Sequence, residues 1–587
     1  MKNKSLITLS SILFTLTLTS CGLIDFNQVV VSLNSKKVEM FDLFEPNEEE
    51  DALAIRKNYI KDVTLKFYED ETLTPYITLE DYFSMLPWNK DCSFSNTQIL
   101  AQQYIRATAG NTTVFAFIVD YNAKEIIVGG SLDEALDNGQ KEYTESLTVM
   151  QNLFLRTEVI SEGLNGFAQY SYKGYGINTF KEGGKYYFPL SFLDTNISNY
   201  SNLFFFYNNK NLYRYKDRKS LNNYYFKDDS AVVLTAEKEY KNSLSSQDMP
   251  EYLIRYNLET YMYMMENMYG LKYNRKIKNM REYLKQLGYY DDLSSPNPDI
   301  RGLAYSNSIN KLNDDHSGLL ISPLASVYNE TVSNERGDVS KDRKELEDTL
   351  TEARKAVYEQ KGRGVEGGIL YSQDEKTATF VFDSFEADTI ENVKRGEFLH
   401  DSAELLKVQF YNIKLKNVKN VVIDMSTNGG GLLIVMLKTL ALCSKNNAGT
   451  VVIQDPTTNF AAEYEAAYDT NQDGKYDRSD CYGDDFNIFL LTSSCSFSCG
   501  NAFPYIAKLM GNVKIIGKRT GGGECAVAQH VLPNQQHIQI SSNNHITFQK
   551  DDGSYYDFES GIAPDTEISY DDFYDIEALN TICNRLN

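Results

Sequence analysis

The chain is 587 residues long and carries 58 Lys and Arg against 81 Asp and Glu, a formal charge of −23. That length implies two to four domains with ample core, and the acidic balance argues against nucleic acid or anionic lipid head groups as partners. Eight cysteines in so long a chain exclude a small scaffold held together by disulfides.

Met1-Lys-Asn-Lys4 opens the chain, an apolar stretch runs from Leu6 to Leu18, and Leu18-Thr-Ser-Cys21-Gly follows. A short basic region, an apolar core too short to cross a bilayer and small residues at the cut describe a secretory signal over residues 1–20. The Leu-x-x-Cys ending resembles the bacterial lipoprotein box, with Cys21 as the lipid-modified first residue. The rest is then expected in the cell envelope outside the cytoplasm, touching the membrane only through its anchor. Seven cysteines remain after Cys21, an odd number that forbids complete internal pairing.

Residues 21–244 are rich in Tyr, Phe, Asn and Thr, with alternating runs such as Thr113–Asp120 and Glu125–Gly130. These predict a mainly β accessory region, with room for two modules. Thr74–Tyr82 and Tyr186–Asp194 are loosely alike. The tyrosines are expected to stack in the core and hairpins, although a glycan- or peptide-binding surface would use the same residue type. Residues 245–330 predict a helical cap, from the periodicity across Met249–Ile309, leading into Leu312-Asn-Asp-Asp-His316-Ser-Gly-Leu-Leu-Ile. Of the five histidines, His400 lies in a charged helical stretch and His530, His537 and His545 lie in polar strand-like segments. His316 stands apart as a candidate base, with acidic residues before it and an apolar strand after it.

From 331 to 587 strands alternate with helices, which specifies an α/β core. Val339–Lys361 is charged and helix-prone, and no peptide-binding module is evident between Ser317 and Gly364. Val421-Val-Ile-Asp-Met-Ser-Thr-Asn-Gly-Gly-Gly431 reads as a buried strand, then a turn whose glycines let backbone approach a ligand. An amide from Gly429 or Gly430 is a candidate to pair with that of Cys499 around a developing oxyanion. Asp469-Thr-Asn471-Gln-Asp473-Gly-Lys475-Tyr-Asp477-Arg-Ser-Asp480 resembles a calcium-binding loop. Asp469, Asn471, Asp473, Asp477 and Asp480 offer side-chain oxygens, Lys475 can offer its carbonyl, and Gly474 permits the turn. The expectation is a structural Ca²⁺ within an inserted loop at 469–480.

Leu491-Thr-Ser-Ser-Cys-Ser-Phe-Ser498-Cys-Gly-Asn-Ala-Phe503 leads from a hydrophobic strand through small residues into a helix. A hydroxyl held at the positive end of that helix, beside free N–H groups, suits a nucleophile. A plain helix cap has the same composition, and Cys495, Cys499 and Cys525 leave a cysteine nucleophile or metal cluster as alternatives. For an acid orienting the base, Glu559 is the candidate, with Asp557 and Asp315 as neighbours in the same role.

Together these segments resemble the carboxy-terminal-processing (tail-specific) serine peptidases and their tricorn-core relatives. The matching stretches are Leu312–Ser317, Ile423–Gly431, Phe497–Phe503, Ile516–Gly523 and Gly561–Asp565, in the family's order. The resemblance implies a crotonase-like ββα-spiral core and a serine endopeptidase acting on peptide or protein substrates. It implies Ser498 as nucleophile, because that register places Phe503 and Thr520 where the family has an aromatic and a threonine. The lysine of the family's Ser–Lys branch falls at Gly523, so the likeness is to the Ser–His branch, with His316 as base and Glu559 as orienter. Hydrolysis of this type needs neither organic cofactor nor catalytic metal. Three positions depart from the pattern: Met425-Ser426 replaces an arginine, Asn501 replaces an acid, and Glu559 sits one residue closer to its glycine. These departures leave open a surface binding lipoprotein that keeps the fold without turnover.

Overall fold

The computed structural model describes residues 33–44, 56–69, 71–99, 101–130, 135–136, 147–161, 167–215, 249–320, 338–388, 401–511 and 513–586. The signal segment, Cys21 and His400 lie outside them. Helices are named in chain order: α1 (Leu79–Phe83), α2 (Leu190–Ser201), α3 (Glu251–Met268), α4 (Met280–Gln286), α5 (Pro298–Asn310), α6 (Asp338–Gln360), α7 (Ser402–Lys414), α8 (Leu433–Cys443), α9 (Cys499–Leu509) and α10 (Ile576–Leu586).

The expected α/β core is built on a sheet whose strand order is Leu370–Tyr371, Thr377–Val381, Asn420–Asp424, Asn487–Thr492, Val513–Gly517 and Thr566–Glu567. All neighbouring pairs are parallel except the first. Parallel strands are covered on both faces, which is why these runs are apolar without alternation. In the central strand, Val421 and Ile423 face a core shared with α7, α8 and α9, while Val422 faces Leu350 of α6 and Leu579 of α10. Burying each such side chain contributes about 1.5–3 kcal/mol. The strand ends at Asp424, where the Gly-rich turn begins, and Asn487–Thr492 ends beside it at the Ser498 turn.

The N-terminal region is mainly β, as its alternation predicted. Leu33–Phe44 and Arg56–Tyr68 form a long antiparallel pair within a seven-stranded sheet. A second sheet of five strands spans Cys92–Ser171. The two loosely similar segments are each a short strand followed by a helix, and the strands pair with each other, Phe188 opposite Ile77. Tyr82 of α1 then donates to Asp194 of α2 at 3.0 Å. The tyrosines here are mostly packing residues; Tyr76, Tyr82, Tyr172 and Tyr213 are nearly inaccessible to solvent.

This region is knit into the rest. Leu153–Ser161 pairs with Phe460–Tyr468 in a further sheet that also holds Gly318–Leu320, Gly449–Asp455 and His537–Thr547. One hydrophobic cluster joins both N-terminal sheets, the cap helices α3 to α5, and Cys525, Ala528, Ile538 and Ile540. Helices α3 to α5 run between Glu251 and Asn310. Asn297 caps α5 through its side chain, with Pro298 in the first turn. The strand Gly318–Leu320 that follows His316 pairs antiparallel with His537–Gln539. That pairing carries the histidine loop from the cap to the core.

Candidate active site

Ser498 stands at the N-cap of α9 with φ 58° and ψ −125°, and its side chain makes no capping hydrogen bond. A serine at a helix start normally spends its hydroxyl on the helix amides; here the backbone conformation turns it away. A non-glycine residue so placed costs about 1–3 kcal/mol. Surrounding contacts hold it there: the Ser498 amide donates to the Gly522 carbonyl at 2.9 Å, and its own carbonyl accepts from Asn501 and Ala502. Gly430 (φ 107°) lies against it so closely that a Cβ there would sit 2.7 Å from Ser498 Cβ and 3.1 Å from the Cys499 amide nitrogen.

His316 is 8% exposed, and its ring packs on Phe497, the residue before Ser498, at a centroid distance of 4.7 Å. The fold therefore brings the histidine loop to the serine turn. Among the described residues no hydrogen bond joins His316 to Ser498, and His316 Nδ1 is buried without a partner. Burial pulls the imidazole below its ordinary pKa. Asp314 and Asp315 oppose that, and the Arg343 guanidinium reinforces it. The ring is thus held neutral, the form that accepts a proton.

None of the three expected acids bonds to that ring. Glu559 is placed on Arg275, whose guanidinium donates to it at 2.8 Å, and it accepts the Glu524 amide at 3.2 Å. Glu559 sits there because the buried segment ahead of it is pinned: Glu524 accepts the amides of Phe558 and Glu559 at 2.8 and 3.1 Å. Asp315 pairs with Arg343, and Asp557 accepts the Glu559 amide. The acid that shapes the loop is Asp314, which sequence reasoning passed over. It accepts from the His316 amide (3.1 Å), Ser317 Oγ (2.5 Å) and Ser541 Oγ (3.1 Å). Its signal was the aspartate two residues before the histidine in Leu312–Ser317.

Of the amides expected around an oxyanion, that of Gly430 is spent, donating to Asn428 Oδ1 at 2.9 Å. The Gly429 and Cys499 amides donate to no group among the described residues. Asn428 is itself buried and held through its amide group by the Phe382 carbonyl. It braces the turn rather than facing the reaction.

Residues 382–568 match the model of peptidase family S41. The chain carries a peptidase family S41 domain. Its matched span begins just after the strand Thr377–Val381 and runs through the Gly-rich turn, Ser498 and Glu559. Solved structures similar to the chain include a Parabacteroides merdae protein provisionally classed as a peptidase. It is 17% identical, with a TM-score of 0.37, over 56% of this chain and 96% of that one. A lipoprotein from Streptococcus agalactiae is 16% identical with a TM-score of 0.33, over 57% of this chain and 98% of its own. Mature CPAF in complex with lactacystin is 12% identical with a TM-score of 0.35, over 57% and 98%. No curated protein matches the chain.

Within the S41 domain the departures from the family pattern have physical accounts. Asn501 accepts from Thr520 Oγ1 at 2.6 Å and donates to the Phe558 carbonyl at 2.9 Å. It thereby ties the serine helix to two later segments, those of Thr520 and Phe558. At Gly523 (φ 83°) a Cβ would meet the Phe497 ring at 2.5 Å, so no lysine side chain fits there. The arginine missing after Asp424 is replaced from another element: Arg354 of α6, 2% exposed, reaches Asp424 at 3.4 Å.

The cysteines are packing residues. Burial pushes the Cys499 thiol up to about 12, and its Sγ lies 3.3 Å from the Gly431 carbonyl oxygen. Cys495 is buried and likewise raised. Neither presents a thiolate at neutral pH. Glu524, Cys525 and His545 bring three ligand atoms together. Glu524 already bonds His545 Nδ1 at 2.6 Å and two backbone amides, so its carboxylate is committed to holding the segment ahead of Glu559.

The 469–480 loop adopts a wrapped turn. Asp469 accepts the amides of Asp473 and Gly474, and Asp480 accepts those of Thr470 and Asp477. The Asp469 amide bonds the Asn152 carbonyl, and Tyr476 packs on Phe154 at 5.8 Å. These contacts tie the loop to the start of the strand Leu153–Ser161.

Proposed function

We propose that the protein is an exported, lipid-anchored serine endopeptidase of the cell envelope, cleaving peptide or protein substrates. The reading is carried by one observation. The Ser498 hydroxyl is uncommitted at a strained strand-to-helix turn, beside two uncommitted amides and next to the residue on which a neutral histidine packs. Ser498 Oγ attacks the scissile carbonyl carbon while His316 accepts the hydroxyl proton. The carbonyl oxygen gathers negative charge and is met by the Gly429 and Cys499 amides at the N-terminus of α9. His316 returns the proton to the leaving amine, and water then hydrolyses the acyl-serine ester by the same exchange. The missing Ser498–His316 hydrogen bond is compatible with this, since such bonds often tighten only when substrate binds. Asp314 and Asp315 supply negative charge beside the ring as it becomes cationic. Anchoring through Cys21 rests on the N-terminal pattern, and exclusion of nucleic acid rests on the acidic balance.

Ser498→Ala is expected to abolish peptide hydrolysis while leaving the melting temperature within about 1 °C of the parent. Retained hydrolysis would place the nucleophile elsewhere. A second reading, a peptidase-fold surface binding lipoprotein without turnover, is favoured by the absence of an acid bonded to His316. It predicts no hydrolysis by either form.

A further inference from the structure

The segment between the histidine loop and the core enters the described structure as α6, a mostly polar helix. Its apolar anchorage is small: Leu350 and Tyr358 are buried, with Leu346 and Val357 partly so. Two arginines point from it into the S41 domain. The Arg343 guanidinium stacks over the Phe497 ring at 4.1 Å, donates to the Gly521 carbonyl at 3.1 Å and pairs with Asp315. Its own carbonyl oxygen lies 3.4 Å from Cys495 Sγ. Three separate stretches meet on this one residue: the loop of His316, the turn of Ser498 and the glycine run whose Gly522 carbonyl holds the Ser498 amide. Three turns along, Arg354 bonds Asp383 at 2.9 and 2.5 Å and reaches Asp424. Asp383 accepts Thr427 Oγ1 at 2.7 Å and Asp424 accepts the Ser426 amide at 2.9 Å. Those bonds hold the turn that carries Gly429.

We propose that α6 is a clamp that registers the peptidase site, with Arg343 locking the histidine loop against the serine turn and Arg354 fixing the oxyanion turn. The proposal rests on Ser498 and His316 being nucleophile and base. Neither arginine is asked to touch substrate; both are positioning residues. A guanidinium suits the task because its planar fork bonds a carboxylate and a carbonyl while its face covers an aromatic ring. A small change in the angle between two reacting groups costs large factors in rate. The clamp also sets the field at the base. The charged groups facing His316 are Asp314 and Asp315 from its own loop and Arg343 from α6; Phe497 and Gln539 pack against it without charge. Without the Arg343 charge, Asp315 is released and a cation is lost, and both changes raise the proton affinity of His316.

The test is the rate of acylation by a fluorophosphonate probe from about pH 5 to pH 9, measured on the full chain and on single variants. Arg343→Gln is expected to slow labelling by about tenfold or more and to move the acid limb of the profile to higher pH. Arg343→Lys keeps the charge but loses the fork. It is expected to slow labelling with the limb unmoved. Lys344→Gln, on the same helix, changes an exposed side chain that pairs, among the described residues, with Glu347 and Asp348 and should leave both rate and limb as in the parent. Equal rates for the parent and both Arg343 variants would overturn the proposal. So would an Arg343→Gln loss that is the same fraction at every pH. Labelling that persists in Ser498→Ala would instead overturn the assignment on which the proposal rests.

Discussion

Ser498 shows how one residue's backbone decides between two uses of the same side chain. The composition around it fits a helix cap and a nucleophile equally well. Its φ of 58° and the absence of a capping bond are not readable from composition, because tertiary contacts with Gly430 and Gly522 impose them. Register with Phe503 and Thr520 singles out Ser498 among the serines of that turn. The surroundings of the candidate acid were not legible, because spacing to a glycine says nothing about which cation captures a carboxylate. Glu559 illustrates this: Arg275 comes from beyond the end of α3, far away in sequence. Burial pushes the Glu559 carboxyl up to about 7, with Arg275 opposing and Asp314 adding to the shift. A carboxyl raised in the folded state holds a proton that the unfolded chain has released, so folding stability falls as pH rises from about 4.5 to 7. Glu559→Gln, measured by thermal melting across that window, is expected to flatten the fall relative to the parent. A parallel slope in both proteins would contradict the assignment.

At the level of elements, the apolar run at Val421 named a core strand to within a residue: Val421–Ile423 proved to be the middle of Asn420–Asp424. Buried parallel strands declare themselves by unbroken hydrophobicity. The role of α6 was not legible. Its charge pattern predicts a solvated helix, and only the structure turns Arg343 and Arg354 inward. The 469–480 loop was legible as a shape, and its amides do wrap around Asp469 and Asp480. We propose that this loop holds Ca²⁺ through Asp469, Asn471, Asp473, the Lys475 carbonyl, Asp477 and Asp480. Saturating Ca²⁺ should then raise the melting temperature by about 2–4 °C over a chelator-treated sample. Identical melts in both conditions would reject it.

Across the whole molecule, the sequence divides at residues 244 and 330 into an accessory region, a cap and a core. The structure does not keep those parts separate. The strand Leu153–Ser161 belongs to a core sheet, and one hydrophobic cluster runs from the N-terminal sheets through the cap to Ile540. Composition shifts mark where residue usage changes, but burial is shared across those boundaries. This shared packing is what delivers His316, on the far side of the cap, to Phe497 in the core. Mapping the fluorophosphonate adduct by peptide mass spectrometry, in the parent and in His316→Ala, tests that convergence most directly. The account predicts a single adduct on Ser498 in the parent and labelling slowed by about 10²-fold or more without the histidine. An adduct on another residue, or one formed equally fast without His316, would contradict it.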